Sequence, residues 1–306
     1  MTATINNFID LLDPRFSEIF DAEYTQAEDK VSQMYRMKDH KQYTERVSQM
    51  GTLPEMQAFN GTLTYGDVAQ GYDTTYTALE FAQGFQVQRL AADFDQFDIL
   101  MDKPKALADS VSRLRNVHRV RPFVNAFSVD TFFYTNTEGV ALCSNSHTTT
   151  SGASTTAGFD NYDTTALSAV SLASKRNNMV KHRNDQGQEI SVMPDEIYIP
   201  TDLYETAFEI VGSAGKVDTA NNNANVHYGQ YKIIEDLWYS TRGDTNNWFL
   251  MDSKLRQRWG LIWSDHIKGE FGMVEEFDTL IGKWRVYCVW SMAVPDWRWI
   301  SGSEVS

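Results

Sequence analysis

Cys143 and His147 stand close enough in the chain for a thiolate and an imidazole to enter one zinc ion, but a structural zinc takes four ligands. No second pair stands at a suitable spacing. The run Gly212-Ser-Ala-Gly215-Lys216-Val217 resembles a phosphate-cradling loop. Its first glycine is one residue too close, and Val217 replaces the hydroxyl that would hold magnesium, so a loop at a helix end explains it better. Asp93 and Asp95 open like a calcium loop, yet Pro104 occupies the twelfth position, where a bidentate Glu is needed. His40, His118, His182, His227 and His266 are scattered without a nucleophile motif such as G-x-S-x-G. Trp284, Trp290, Trp297 and Trp299 offer faces on which a sugar could stack, although strand alternation accounts for the first two as core. The expectation is therefore a chain without catalytic, cofactor or metal residues.

The elements that would carry such groups point elsewhere. From Asp102 to Phe127 the apolar residues Leu107, Val111, Leu114, Val117, Val120, Val124 and Phe127 recur at helical steps. Asp102 suits the N-cap, Pro104 suits the first turn, and Pro122 is expected to kink or end the helix. Opposite the apolar stripe, Lys103, Lys105, Arg113, Arg115, Arg119 and Arg121 face Asp109 as the one acid in residues 103–121. This is the one strongly basic element of a protein with net charge −14, and a solvated face is its default reading.

Composition excludes several classes. With 306 residues, 42% hydrophobic and 13% aromatic, the chain can bury a large core and is not disordered. The acidic balance argues against a surface that wraps nucleic acid throughout. Apolar runs fall far short of the roughly 18 residues that span a bilayer. Met1–Asp10 lacks the basic start and apolar centre of a secretion signal, so synthesis in the cytoplasm is expected, with Cys143 and Cys288 as buried free thiols.

Residues 1–50 read as an arm with a helix from Pro14 to about Lys38, its apolar face (Phe16, Ile19, Phe20, Tyr24, Ala27, Val31 and Met34) lacking an obvious partner nearby in sequence. Residues 51–90 are punctuated by Gly51, Gly61, Gly66, Gly71 and Gly84, which predicts a long two-stranded excursion. Between Gly51 and Gln88 stand Glu55, Asp67, Asp73 and Glu80, with no Lys or Arg. Further on, Thr131–Leu142 has strand content around a turn at Asn136–Gly139, and a Ser/Thr-rich surface loop follows. Thr164 or Thr165 would cap a helix over Ala166–Val180. Glu196–Ile199 reads as a strand, and Thr201 or Asp202 would cap a helix burying Leu203, Ala207, Ile210 and Val211. Strands are expected at Gln230–Leu237 and Trp248–Asp252. Every even position from Trp284 to Val294 is apolar, the period of a strand with one buried face.

In that order, the elements resemble the tailed-phage major capsid proteins of the Hong Kong 97 fold. Four places look most like the major head subunit of Mu-type phages. Gly51-Thr-Leu-Pro54-Glu-Met56-Gln-Ala-Phe59-Asn-Gly61 is similar to that group's start of the extended loop, and Phe81 through Arg89 to Asp95 to its exit. Glu138-Gly139-Val-Ala141-Leu142-Cys143-Ser144-Asn-Ser-His147 is similar to the family's Asp-Gly-x-Ala-Leu-Phe-Ser-x-x-His stretch, with Glu138 and Cys143 as departures. Pro194 to Ala207, Trp248–Asp252 and Pro295-Asp296-Trp297-Arg298 resemble its strand–helix passage, its Trp-Phe-Leu strand and its Asp-Trp-Arg ending.

The resemblance implies an α+β fold with an N-terminal arm (1–50) and an extended β-hairpin loop (51–90). A peripheral domain would take residues 91–164, with spine helix 104–121, and the terminal strands of 255–306; an axial domain would take residues 165–254. It implies a non-enzymatic subunit that assembles with itself into hexamers and pentamers of an icosahedral phage head. Such a head is put together in the host cytoplasm and encloses double-stranded DNA without sequence specificity. A scaffolding protein, a portal and decoration or minor capsid proteins would be further partners, with no membrane. The loop side of the inter-subunit contact would be Glu55, Phe59, Tyr65, Asp67, Asp73, Tyr76 and Glu80. It would meet Lys103, Lys105, Arg113, Arg115, Arg119 and Arg121, unless that basic face turns inward to DNA. Some relatives join a loop lysine to a neighbour's asparagine, and residues 51–88 have no lysine for it. An encapsulin-type compartment and a β-rich glycan-binding protein are the other readings.

Overall fold

The computed structural model describes residues 8–26, 30–39, 42–63, 65–66, 68, 70–88, 97–215, 224–276 and 281–306. The chain begins with helices α1 (Phe8–Gln26) and α2 (Lys30–Met34). Strands β1 (Arg36–Met37), β2 (Thr44–Met50), β3 (Gln70–Thr77) and β4 (Leu79–Gln88) lead to helix α3 (Phe97–Val124). Next come β5 (Tyr134–Asn136), β6 (Tyr162–Asp163), α4 (Ala169–Val180), β7 (Glu196–Ile199), α5 (Tyr204–Val211), β8 (Lys232–Glu235) and α6 (Leu237–Arg242). The last part holds β9 (Trp248–Met251), α7 (Ser253–Leu255), β10 (Ile262–Glu276), β11 (Ile281–Ala293) and β12 (Ile300–Ser303).

Three sheets organise these elements: β1-β10-β11-β4, β6-β12-β9-β7-β8 and β2-β3-β5. In β11 the even positions Trp284, Val286, Cys288, Trp290 and Met292, and Val294 just beyond it, are all buried, as a period of two demands. Trp290 is fully enclosed. Its ring stacks on Phe81 at 4.5 Å and its Nε1–H donates to His118 Nδ1 at 3.1 Å. Trp290→Ala is expected to cost about 3–5 kcal/mol through the cavity it leaves. Thermal melting checks this, and an unchanged midpoint would mean that the site collapses freely.

Helix α3 lies against this layer with Leu107, Ala108, Val111, Val120 and Phe123 buried. It starts at Phe97, earlier than expected, so Asp102 is not its cap and instead pairs with Lys105 at 3.2 Å one turn on. Both Pro104 and Pro122 lie inside it, and the helix ends at Val124, soon after Pro122 has removed a backbone donor.

The five-stranded sheet is built on β7 and β9, every residue of which is buried. Helix α4 seats Leu172 and Met179 in its core. The cap is Ser168, in a reciprocal box with Ser171, and not Thr164 or Thr165. Helix α5 buries Ala207 and Val211, with Leu203 and Ile210 packed beside them. It is entered through a tight turn, Thr201–Leu203, with no side-chain cap from Thr201 or Asp202. β12 pairs with β9 and β6, so the terminal strands are split between two sheets rather than gathered in one.

Two other expectations change. Residues 70–88 do not form a self-paired hairpin: β3 joins β2 and β5, whereas β4 joins β11. The arm also finds its partner within the chain. Phe16 packs edge-on against Trp284 at 5.2 Å and Phe20 stacks on Phe271 at 5.2 Å. Tyr35 donates its hydroxyl to the Arg119 carbonyl at 2.5 Å.

Candidate assembly surface

Between β2 and β3 the described residues of 51–68 form no strand, and their large side chains face outward. Leu53, Met56, Phe59, Leu63, Tyr65 and Val68 are all exposed, Met56 completely. Exposed apolar side chains this dense on one segment mark a surface that is covered in use. The root of the segment is held. Asn184 Nδ2 donates to Thr52 Oγ1 at 2.6 Å, Gln49 Nε2 to the Pro295 carbonyl at 2.6 Å, and Thr150 Oγ1 to the Gln70 carbonyl at 3.0 Å. The turn that presents Asn184 needs Gly187 in the left-handed region, at φ 78°. A loop fixed at both ends and bare in between can reach outward without losing its direction.

The expected contact residues divide on inspection. Glu55, Phe59 and Tyr65 are exposed on the loop, and Glu80 is exposed on β4. Asp67 lies outside the described residues. Asp73 is bonded to Arg46 of its own chain. Tyr76 is fully buried, donating to Glu45 Oε2 at 2.6 Å, so it belongs to the core and not to a contact surface.

The basic face is corrected more strongly. Arg115 is buried and forks onto Asp265 at 2.6 and 3.1 Å. Arg119, also buried, meets Asp236 at 2.5 Å. Arg121 forks onto Asp130 at 2.7 and 2.8 Å. Burial alone would raise the Asp130 pKa, but Arg121 and the Phe132 N–H and Asn125 donors hold it below the usual carboxylate range. Three of the six charges are therefore paired within the subunit, two of them buried. Lys105 and Arg113 remain exposed, and Lys103, partly covered, donates to the Gln86 carbonyl at 3.3 Å. Arg119→Ala, which leaves Asp236 buried and unpaired, should destabilise by about 3–5 kcal/mol. A denaturant melt tests it, and an unshifted midpoint would mean that water reaches Asp236.

The chemical candidates also resolve. His147 Nδ1 lies 3.1 Å from Glu138 Oε1, and its ring stacks on Trp297 at 4.1 Å, a packing role. Burial pushes the Cys143 thiol up to about 12. Among the described residues no group of three or more His, Cys, Asp or Glu could hold a metal. Trp297 and Trp299 are buried, 4% and 1% exposed, which removes the sugar platform. Asp93, Asp95, Lys216 and Val217 lie outside the described residues.

One surface escaped the sequence reading. After α7, whose Lys254 is exposed, the chain makes a wide helical turn, Arg256–Gly260, that leaves Gln257, Arg258 and Trp259 exposed. The Arg258 guanidinium covers the Trp259 ring at 5.2 Å. The basic–aromatic run Lys254-Leu-Arg256-Gln-Arg258-Trp259 was its available signal.

Comparison with known proteins places this architecture. Among solved structures, that of Mycobacterium phage Patience covers 99% of this chain and 88% of its own, with TM-score 0.56 and 10% identity. The capsid of Ralstonia phage GP4 covers 85% and 82%, with TM-score 0.53 and 9% identity. The capsid of bacteriophage JBD30, decorated with minor capsid protein trimers, covers 70% and 91%, with TM-score 0.50 and 14% identity. These likenesses show the Hong Kong 97 fold. No curated protein sequence matches. A family described as phage capsid protein matches residues 71–301, so the chain belongs to the phage capsid protein family.

Proposed function

We propose that this major capsid protein builds an icosahedral phage head, in hexamers and pentamers assembled in the host cytoplasm around double-stranded DNA. The observation that carries the reading is the loop of residues 51–68. Six of its large apolar side chains are bare within one short segment, as expected where a neighbour supplies the missing cover. The four-stranded sheet with α1 and α3 would form the peripheral domain. The five-stranded sheet with α4 and α5 would form the axial one, with β12 added to it. The subunit acts by packing and performs no chemistry. A scaffolding protein, a portal and, as in the decorated head of JBD30, minor capsid proteins would complete the partner set. The affinity to Mu-type head subunits rests on the four sequence stretches described above.

Electron microscopy of the purified protein is expected to show closed shells, and native particles are expected to contain nucleic acid. A soluble monomer at all concentrations would overturn the reading. Because residues 51–88 contain no lysine, mature particles should run as single subunits on a denaturing gel.

A further inference from the structure

Helix α5 turns to solvent a face that its own fold leaves unused. Its buried side is narrow: Ala207 and Val211 enter the core of the five-stranded sheet, with Leu203 and Ile210 packed beside them. Next to that side Tyr204 and Phe208, one turn apart, stack at 6.2 Å and stay 41% and 52% exposed. The 225–229 turn is tied to the end of the helix. Asn225 Nδ2 donates to the Ile210 carbonyl at 2.6 Å, and the Gly229 N–H donates to the Val211 carbonyl at 3.0 Å. This turn adds Val226 and Tyr228, both exposed. Four large apolar side chains thus stand open around one short helix, more than scattered surface residues would supply.

A stripe of carboxylates borders the aromatic pair. At about 3.6 residues per turn, Glu205 and Glu209 come next around the helix after Tyr204 and Phe208. Both are exposed, as is Asp202 in the tight turn that leads into α5. The helix dipole accounts for Asp202 and Glu205, which sit at its positive end. It works against Glu209 in the last turn, where no Lys or Arg offsets the negative end. Residues 184–215 contain no Lys or Arg at all. Asp185 and Glu196 of that stretch pair with Arg298 and Arg256 inside the subunit, whereas the carboxylates on α5 face outward. A cation brought from outside would relieve both the local repulsion and the dipole.

We propose that this aromatic and acidic face docks a cationic segment of a minor capsid protein, one whose Lys and Arg side chains flank large apolar ones. The inference rests on the shell-forming reading and names the surface that one class of its partners uses. The aromatics supply the area that is buried, and the carboxylates supply register and speed of encounter. Nucleic acid has the wrong sign. A second copy is the poorer match, because chains of net charge −14 repel each other and an isologous contact would set the carboxylates against their own equivalents. The chain's own Arg115, Arg119 and Arg256 are moreover buried already, on Asp265, Asp236 and Glu196.

Accessibility in the finished shell separates the two occupants. Phe208→Cys is made in the full chain and treated with a maleimide dye; the native Cys143 and Cys288 are buried and should stay silent. Labelling is expected to be as fast in closed shells as in free subunits. Protection in shells would show that another copy covers α5, which overturns the proposal and leaves the shell reading intact. If the wild-type chain forms no shells, the shell reading falls, and the titration below still decides whether the face is a receptor.

The chemistry of the occupant is read with a short fluorescein-labelled peptide of Lys and Leu at amphipathic helical spacing, titrated into the full chain. Saturable binding is expected, weakening as salt rises. Glu205→Lys with Glu209→Lys, and Tyr204→Ser with Phe208→Ser, should each weaken it by about tenfold or more. All four side chains are exposed, so circular dichroism melts of the variants should stay close to the wild type. Absence of saturable binding would overturn the proposal. So would equal binding by an oligolysine of the same charge, or binding unchanged in both double variants, since the surface would then merely attract cations.

Discussion

Deleting residues 1–40 is expected to leave the chain unable to fold, rather than to yield a soluble subunit that merely fails to assemble. From its sequence the segment looks like an arm waiting for a neighbour, because nothing close by in the chain complements its apolar face. The structure supplies that complement from far away. Phe16 and Phe20 are fully buried, Val31, Met34 and Tyr35 nearly so, and β1 pairs with β10 in parallel. Arg256, buried beneath α2, donates to the Met34 carbonyl while pairing with Glu196 at 2.7 Å. Losing one such aromatic costs about 3–5 kcal/mol, and a typical folded domain is stable by only about 5–15 kcal/mol in all. Removing several together, and leaving Arg256 without its cover, exceeds that margin. The measurement is the soluble yield and far-ultraviolet circular dichroism of the truncated chain. A soluble product that melts cooperatively would show that the arm's contacts can be spared.

Acid is expected to destabilise the subunit steeply between about pH 6.5 and 4, through two buried histidines. His118 sits among Phe81, Phe132, Phe133 and Trp290, with its Nδ1 accepting from the Trp290 indole. Burial is the main cause that drops its pKa to about 4, and the charges of Arg121 and Arg242 add to it. His182, fully buried, donates from Nδ1 to the Arg298 carbonyl at 3.1 Å, and burial likewise drops it to about 4. In the unfolded chain both rings take a proton near pH 6.5. Between the two values the unfolded chain therefore holds more protons, so acid favours it. Stability present above about pH 6.5 is lost progressively down to about pH 4, by up to about 3 kcal/mol for each ring. Melting temperatures across that window and the ring-proton shifts of the two histidines are the measurements. Rings that titrate near pH 6.5 in the folded protein, or a flat melting profile, would sink the prediction.

What the sequence made legible and what it hid follow one physical division. Strand β11 could be read because its even positions all face one core, and local alternation records that directly. β10, the longer strand beside it, could not. Its segment Ser264-Asp-His-Ile-Lys-Gly-Glu270 mixes charges and glycine, and two irregularities in its pairing, at Asp265/Ile267 and Ile267/Glu270, break the period. The helical spacing of α3 was plain, but the fate of its arginines was not. Asp265 and Asp236 neutralise Arg115 and Arg119 from other elements, and no local pattern announces a partner so far along the chain; Asp130, nine residues from Arg121, carries no helical spacing to it once the helix has ended at Val124. Trp297 and Trp299 were ambiguous for the same reason. The loop of residues 51–68 was recognisable by its glycines and acids, whereas the groups that hold its root, Asn184 and the Pro295 carbonyl, lie far along the chain and meet it only after folding.

The position of β12 has a further consequence, for the timing of biosynthesis. Ile300–Ser303 does not decorate an edge; it is inserted between β9 and β6, with Ile300 facing Met251 and Ser303 facing Trp248. β9 is thus made early and must wait for a partner about fifty residues further along the chain. Ribosomes add roughly 5–20 residues per second, so this interval lasts seconds, during which one side of β9 has no hydrogen-bonding neighbour. An open strand edge invites pairing with another nascent chain. Polysomes, which hold many copies of one message product close together, would add to that exposure. A holding chaperone acting on chains stalled between residues 252 and 300 would protect head production more than one acting on finished subunits.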